Sequence, residues 1–336
     1  MSATKIEWVR NADGTQGTTW NPVRGCSRMS RGCENCYAER MSARFSAGGV
    51  YPVGGICTPY KKREPFFGFA VRTPSGPRWT GRVELIASKL EEPLHWRKPR
   101  TILVNSMSDL FHKALPLAEK EKVFRVMLSA NQHIYQILTK RAALMAEQVP
   151  IIMNRIFGPH WRMPAYIWLG VSVEDQATAD ERIPLLLQTP AAVRFVSMEP
   201  LLSAVDLRLY VFPRNAEHRG RPFVNSLDGV IAGGESGPGA RPCNVEWIRS
   251  AVWQCREAGV SMFVKQLGAH PVGSCPRCLG RGTVDSWQDG MPGQEECPKY
   301  CYGSKIIPIK LHDRKGGDPS EWPEDLRVRE LPEGRA

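Results

Sequence analysis

Thr101-Ile-Leu-Val-Asn105, Ile134-Tyr-Gln-Ile-Leu-Thr139 and Tyr166-Ile-Trp-Leu-Gly-Val-Ser172 are short apolar runs that each end in a polar residue. The pattern returns in Val193-Arg-Phe-Val-Ser197, Gly229-Val-Ile-Ala-Gly233 and Val260-Ser-Met-Phe-Val-Lys265. Short apolar runs rich in β-branched residues and bounded by turn formers read as strands buried on both faces, as parallel sheets require. Helical patterns lie between them. Residues Pro116–Asn131 place Val123, Phe124, Met127 and Leu128 on one face. Asp175 is positioned to cap a helix carrying Ile183, Leu186 and Leu187. Asn244 is positioned to cap another, with Ile248, Ala251, Val252 and Cys255 on its stripe and Gly259 just past its end. Such alternation predicts an α/β fold with a parallel sheet, a partial or complete TIM-like (β/α) barrel.

Ligands of parallel α/β sheets bind at the carboxyl edge of the strands. That edge would present Asn105-Ser106-Met-Ser-Asp109, Thr139-Lys140-Arg141, Ser172-Val-Glu174, Ser197-Met-Glu199, Gly233-Gly234-Glu235-Ser-Gly237 and Lys265-Gln266. Several strand ends that each carry an acid, amide or lysine are more than a core needs, although any one of them is also explained as a helix cap.

Working back toward the N-terminus, Thr19-Trp-Asn-Pro-Val-Arg-Gly-Cys26-Ser-Arg-Met-Ser-Arg-Gly-Cys33-Glu-Asn-Cys36-Tyr follows an apparent first strand at Glu7–Val9 or Thr18–Trp20, which puts it at the same edge. Cys26, Cys33 and Cys36 form a C-x6-C-x2-C pattern with no fourth cysteine nearby, and the next histidine is His95. A closed zinc site wants a fourth ligand close by. Three thiolates instead hold three corners of a [4Fe–4S] cluster and leave one iron open.

Between this loop and the strands, residues 46–80 form a Gly- and Pro-rich insertion. It carries Lys61-Lys-Arg63, Arg72 and Arg78 interleaved with Phe66, Phe67, Phe69 and Trp79. The mixture suits phosphate contact and base stacking. A solvated insertion whose aromatics pack it onto the domain explains it as well.

Near the C-terminus, Cys275-Pro-Arg-Cys278 and Cys297-Pro-Lys-Tyr-Cys301 make a C-x2-C…C-x3-C pair of knuckles. Four soft ligands in two pairs point to structural Zn2+ in a small zinc-ribbon-like element, with an auxiliary iron–sulfur cluster as the rival. Three cysteines remain. Cys255 lies on an apolar stripe, Cys57 in the insertion, and Cys243 near the Gly233–Gly237 edge, where a redox or substrate role competes with simple packing. The expected units are therefore 1–270 for the barrel, 271–305 for the metal ribbon and 306–336 for a tail.

Composition bounds the rest. With 42% hydrophobic and 24% charged residues the chain is globular. The N-terminus lacks an apolar leader, and no run approaches about eighteen apolar residues, so a cytoplasmic protein with no membrane partner is expected. A net charge of +11 favours a polyanionic partner or an anionic cofactor.

The run Thr19-Trp-Asn-Pro…Gly-Cys…Gly-Cys-Glu-Asn-Cys-Tyr-Ala-Glu39 resembles the three-cysteine, radical-SAM-like family first catalogued from mycobacteriophage proteins and also found in bacterial genomes. Further matches are Val104-Asn-Ser-Met-Ser-Asp-Leu-Phe-His112, Trp168-Leu-Gly-Val-Ser-Val-Glu-Asp-Gln176, Phe195-Val-Ser-Met-Glu-Pro-Leu-Leu202 and Gly233-Gly-Glu-Ser-Gly-Pro-Gly-Ala-Arg-Pro242. So is the tail Lys315-Gly-Gly-Asp-Pro-Ser-Glu-Trp-Pro-Glu-Asp-Leu-Arg-Val-Arg329. The resemblance spans nearly the whole chain. It implies a barrel of radical-SAM type that binds S-adenosylmethionine on the open iron and takes electrons from a flavodoxin- or ferredoxin-type protein. A nucleic-acid base or nucleotide is the implied substrate.

On that reading Ser172, Glu174 and Glu199 suit ribose hydroxyls. Asn105, Ser106, Asp109 or Glu235, the last with Gly233 and Gly234, suit the methionine amine. Glu199, Lys140 and Lys265 are the candidates that act on substrate, with Lys140, Arg141 and Lys265 able to meet carboxylate or phosphate. The first cysteine gap is six residues where the broader pattern has three, and the Gly-Gly-Glu triplet comes late in the chain. The rival expectation is a non-catalytic nucleic-acid-binding protein with zinc at both cysteine clusters. A metal-dependent hydrolase is a distant third, since no His/Asp cluster offers ligands.

Overall fold

A computed structural model describes residues 3–46, 66–212, 226–275, 283–288, 291–296 and 306–332. Seven strands make one parallel sheet: β1 (Thr18–Trp20), β2 (Thr101–Val104), β3 (Ile134–Thr139), β4 (Ile167–Ser172), β5 (Val193–Met198), β6 (Gly229–Gly233) and β7 (Ser261–Gln266). Each strand pairs only with its neighbours in sequence, in the order β1 to β7. The barrel is thus partial: the sheet curls into a half-barrel with β1 and β7 as its two edges. Six strands fall on the apolar runs quoted above. Of the two N-terminal candidates, Thr18–Trp20 is the strand.

Besides the single turn Ala87–Leu90, the helices are α1 (Tyr37–Phe45), α2 (Leu117–Ser129), α3 (Ala142–Phe157), α4 (Gln176–Gln188) and α5 (Val245–Ala258). Asp175 and Thr178 close a reciprocal capping box on α4. The Asn244 side chain accepts from Glu246 N on α5, and Gly259 ends that helix in the left-handed region at φ +63°. Helix α3 follows β3 directly and carries Pro150 in its interior.

Period-two alternation sorts the strand residues between two cores. Ile102, Val104, Tyr135, Ile137, Leu169 and Val196 face outward and join Val123, Met145, Ile183 and Ile248 of the helices in the main core. Leu103, Trp168, Phe195, Ile231 and Phe263 face the concave side, where Trp8 and Val9 plug them from below. The Trp8 and Phe195 rings sit 5.8 Å apart. Gly170 must be glycine here, because a Cβ would lie 2.6 Å from the Phe195 ring.

Moving toward the carboxyl ends, the same inward positions turn polar: Asn105 after Leu103, Ser172 after Trp168, Ser197 and Glu199 after Phe195, Glu235 after Ile231, and Lys265 after Phe263. The half-barrel therefore has an apolar floor and a polar mouth.

The β7 edge does not stay open. Val264 N donates to Val328 O and Glu330 N to Met262 O, each at 2.8 Å, so residues 328–330 run antiparallel along it. Trp322 and Leu326 of the tail are buried in the main core. The tail is thus integral to the barrel rather than an appendage beyond it.

A hairpin, Thr283–Gln288 with Met291–Glu296, occupies the stretch between the two C-terminal cysteine pairs. Cys275 is buried. Cys278, Cys297 and Cys301 lie outside the described residues, as do Cys57 and the Lys61–Arg63 run. No helix among the described residues is long and apolar enough to cross a membrane.

Candidate functional site

A cavity of about 600 Å³ opens at the polar mouth. Cys26, Cys33 and Cys36 line one wall of it, and Asn105, Ser172, Ser197, Glu199 and Lys265 line another. The three thiols are free. Among the described residues no three His, Cys, Asp or Glu side chains form a group that would hold one metal ion.

The cysteine loop is short of regular structure, with only a 3-10 turn at Arg31–Cys33 before Cys36 opens α1. The strand ends hold it in place. After β3, Arg141 is buried and reaches Ser27 O and Ser27 Oγ at 3.0 Å each, with its Nη1 3.9 Å from Cys26 Sγ. Asp109, after β2, fixes Arg141 at 2.7 Å and also accepts from Thr139 Oγ1 at 2.7 Å. His112 meets Ser27 Oγ at 2.8 Å.

After β4, Glu174 is fully buried and accepts from Ser30 Oγ at 2.8 Å, from Arg182 Nη1 at 3.0 Å, and from Lys140 Nζ. Gly32 rests on that carboxylate so closely that a Cβ would lie 2.4 Å from Glu174 Cγ. After β6, Glu235 accepts from Asn35 Nδ2 at 3.0 Å and forms an ion pair with Arg241 at 2.8 Å, while Arg241 also donates to Arg31 O at 3.0 Å.

The expected polar edge is therefore real but divides into two jobs. Asp109, Arg141, Glu174 with Lys140, and Glu235 clamp the cysteine loop. Glu174 does not line the cavity at all, and its oxygens are taken by Ser30, Lys140 and Arg182. Gly233 and Gly234 also stay out of the cavity wall. Gly234 is packed against Leu267 O and the Cys243 side chain, so its place is a close backbone approach. Ser106 lines the cavity, with its hydroxyl 3.2 Å from Asn21 Oδ1.

Asp109, Lys140, Arg141 and Glu235 also border the cavity, but their polar atoms are engaged by the loop, by Glu174 and by one another; the strand-end groups with capacity to spare are fewer. Asn105 sits at φ +60° and is 4% exposed, and its Nδ2 is buried with no hydrogen-bond partner. Its Oδ1 is occupied by Val23 N at 3.3 Å, so the amide has a donor to spare and nothing to give it to. The Ser172 and Ser197 hydroxyls make no hydrogen bond to the described residues. Glu199 is paired with Lys265 and accepts from Gln266 Nε2 at 3.2 Å.

Burial sets the proton affinities. It pushes the Cys26 thiol up to about 12, with Asp109 adding to the effect, and raises Cys36 as well. Burial and the neighbouring Arg141 hold His112 down at about 4, so it is neutral at physiological pH. Burial would push Glu235 up, but the bonds from Arg241 and Asn35 outweigh it and hold the carboxyl below its ordinary value. Cys243 is buried and pushed up to about 12 by that burial alone, which fits a packing thiol rather than a reactive one.

Sequence reasoning passed over several cavity residues. Tyr37 lines the wall beside Cys36, with its hydroxyl on Ser106 O. Lys5 and Trp8 reach the cavity from the N-terminal segment, and Lys315 reaches it from the tail. None of these carries a spacing signal, since each arrives through tertiary packing.

Residues 3–298 match a family described as a protein of unknown function, DUF5131. The chain belongs to the DUF5131 family. No curated protein and no solved structure matches this DUF5131 chain.

Proposed function

We propose that this DUF5131 chain is a radical S-adenosylmethionine enzyme, in which Cys26, Cys33 and Cys36 hold a [4Fe–4S] cluster at the mouth of the half-barrel. One observation carries the reading: three thiols from one clamped loop line the same cavity as a spare buried donor, Asn105 Nδ2, and two free hydroxyls. The donor set fits the group. Three thiolates satisfy three irons and leave the fourth to an exchangeable ligand. When bound and reduced by an external one-electron donor, the cluster would pass that electron to the sulfonium of S-adenosylmethionine, whose cleavage to methionine and a 5′-deoxyadenosyl radical would supply the hydrogen abstraction.

The chain's own residues bind and exclude. Asn105 Nδ2 would donate to a carboxylate or ribose oxygen, because that is the bond it lacks. Ser172 and Ser197 are placed for ribose hydroxyls, and the Glu199–Lys265 pair offers both an acceptor and a cation to the remaining polar groups. Asp109 and Glu174 keep their sequence-assigned neighbourhood but act on the loop rather than on the cofactor. The apolar floor of Trp8, Trp168 and Phe195 closes the other end against water. At the C-terminus, Cys275, Cys278, Cys297 and Cys301 are proposed to hold a structural Zn2+ around the 283–296 hairpin.

The test is an anaerobic assay for 5′-deoxyadenosine from protein reconstituted with iron and sulfide, reduced with dithionite and given S-adenosylmethionine. Product in the wild type, lost in C26A, C33A and C36A and reduced at least tenfold in N105A, is the expected result. A colourless protein that takes up zinc at both cysteine clusters and forms no product would replace this reading with a non-catalytic binding module.

A further inference from the structure

Helix α1 begins at the residue after Cys36 and has an unusual outer face. Its inner face is small and buried: Ala38, Glu39, Ser42 and Ala43. Its outer face reads Tyr37, Arg40, Met41, Arg44 and Phe45, positions spaced i, i+3, i+4, i+7 and i+8, which form one stripe on a helix. A solvated helix normally turns short polar or paired charged residues outward. Here Tyr37 is 52%, Met41 42% and Phe45 41% exposed, and the stripe runs straight to the cavity mouth, where Met29 is also 49% exposed.

The charge on this surface is as unbalanced as its polarity. Arg40 and Arg44 have no ion-pair partner among the described residues. Neither do Arg72 and Arg78 on the hairpin Ala70–Thr73 with Gly76–Trp79, which packs against α1 and brings Trp79 to the cavity wall. The one acid of α1, Glu39, is consumed inside, by Arg28 and by Trp79 N at 2.7 Å. Across residues 39–84 the sequence holds eight Lys or Arg against three acids, of which Glu39 is taken by Arg28 and Glu84 by Arg82. Elsewhere Arg125 pairs with Glu121, Arg208 with Asp206 and Arg249 with Asp325, while single arginines such as Arg97, Arg162 and Arg256 have no ion-pair partner among the described residues but are not gathered with aromatic and thioether groups on one face. Unpaired guanidinium groups interleaved with the half-exposed ring of Tyr37, whose hydroxyl is held on Ser106 O, with an indole and with thioethers make a surface that takes phosphates and flat, polarisable rings together.

We propose that the outer face of α1 and the adjoining hairpin form a docking surface for single-stranded nucleic acid, with Arg40, Arg44, Arg72 and Arg78 on phosphates and Tyr37, Met41 and Trp79 under bases. The assignment rests on the radical-enzyme reading only for its purpose, which is to deliver one unstacked base into the cavity. A base inside a duplex cannot reach an enclosed site without leaving the stack, so a single strand is the natural form of the ligand. An acidic protein would satisfy the four arginines but gives no role to the aromatic and thioether groups between them.

The experiment is fluorescence anisotropy on the full chain, without and with its reconstituted cluster, using labelled single strands of about twenty nucleotides, as DNA and as RNA, and the matching duplex. Single strands are expected to bind at least tenfold more tightly than duplex at moderate salt. R40E/R44E is expected to weaken single-strand binding at least tenfold and to lower the slope of log affinity against log salt by about 1.4, as two phosphate contacts vanish. M41E should weaken it without lowering that slope by a whole contact. R97E/K98E, on the amino-terminal side of the sheet, should bind like the wild type. Unchanged affinity in R40E/R44E, equal affinity for duplex, or loss of binding in R97E/K98E as large as in R40E/R44E would overturn the proposal. Binding does not require the cluster, so a protein that binds strands as expected but makes no 5′-deoxyadenosine would leave the surface standing and remove the radical chemistry.

Discussion

At the scale of single residues, the strand ends do more holding than catalysing. Glu174 shows this most clearly: a carboxylate with no exposure that meets two cations and a serine hydroxyl is a structural pivot. Glu174→Gln leaves the Arg182 guanidinium buried beside a neutral amide, and losing one partner of a buried pair costs about 3–5 kcal/mol. A drop in unfolding free energy of that order, measured by urea denaturation, is expected. Gly32→Ala should cost about 1–3 kcal/mol for overpacking, because the Glu174 carboxylate it would strike is pinned from the far side. Iron retention should suffer with it. Histidine gives a pH signature. His112 falls from about 6.5 unfolded to about 4 folded, and burial lowers His133 too. Between those values the unfolded chain binds more protons, so stability is full above pH 6.5 and is lost as pH falls toward 4. Thermal unfolding of the cluster-free chain should show a falling Tm over that window, and His112→Asn should flatten it. Sequence named Glu174, Asp109 and Arg141 as edge residues, but nothing in their spacing distinguished a clamp from a ligand. That distinction depends on which way a loop far away in sequence folds back.

At the scale of elements, local chemistry was legible wherever it acts over a few residues. The apolar runs ending at Thr139, Ser172 and Gly233 end as strands at those same residues, because β-branched runs bounded by polar residues have one good conformation in a buried sheet. The capping signals at Asp175 and Asn244 and the stop at Gly259 all appear as read. Asp175→Ala should cost about 1 kcal/mol by removing its bond to Thr178 N at 2.9 Å. Because α4 starts just after Glu174, differential hydrogen exchange should show the change spreading to the Ser30–Cys33 turn. Helix α3 was not singled out, since Pro150 interrupts its pattern and tertiary packing of Met145, Val149, Ile152 and Met153 overrides it. Whether the N-terminal strand lay at Glu7–Val9 or Thr18–Trp20 was also open. Both stretches are short and carry a tryptophan, and only the curl of the sheet turns Trp8 into a plug.

At the scale of the whole molecule, sequential parallel pairing from β1 to β7 leaves a half-barrel whose carboxyl mouth is wide enough for a loop to sit across it. The cysteine loop supplies the missing wall, the N-terminal segment the floor, and residues 328–330 the cover for the β7 edge. This closure by irregular segments was not visible in the alternation of strands and helices, which predicts the sheet but not what completes it. The function turns on what the three thiols hold. The most direct measurement is iron and sulfide content with electron paramagnetic resonance of the dithionite-reduced protein after anaerobic reconstitution, in the wild type, in C26A/C33A/C36A and in C275A/C278A. About four irons and four sulfides per chain, with a reduced-cluster signal that S-adenosylmethionine perturbs, present in the wild type and C275A/C278A and absent in C26A/C33A/C36A, is the predicted result. A cluster that survives C26A/C33A/C36A, or zinc in place of iron at those cysteines, would contradict it.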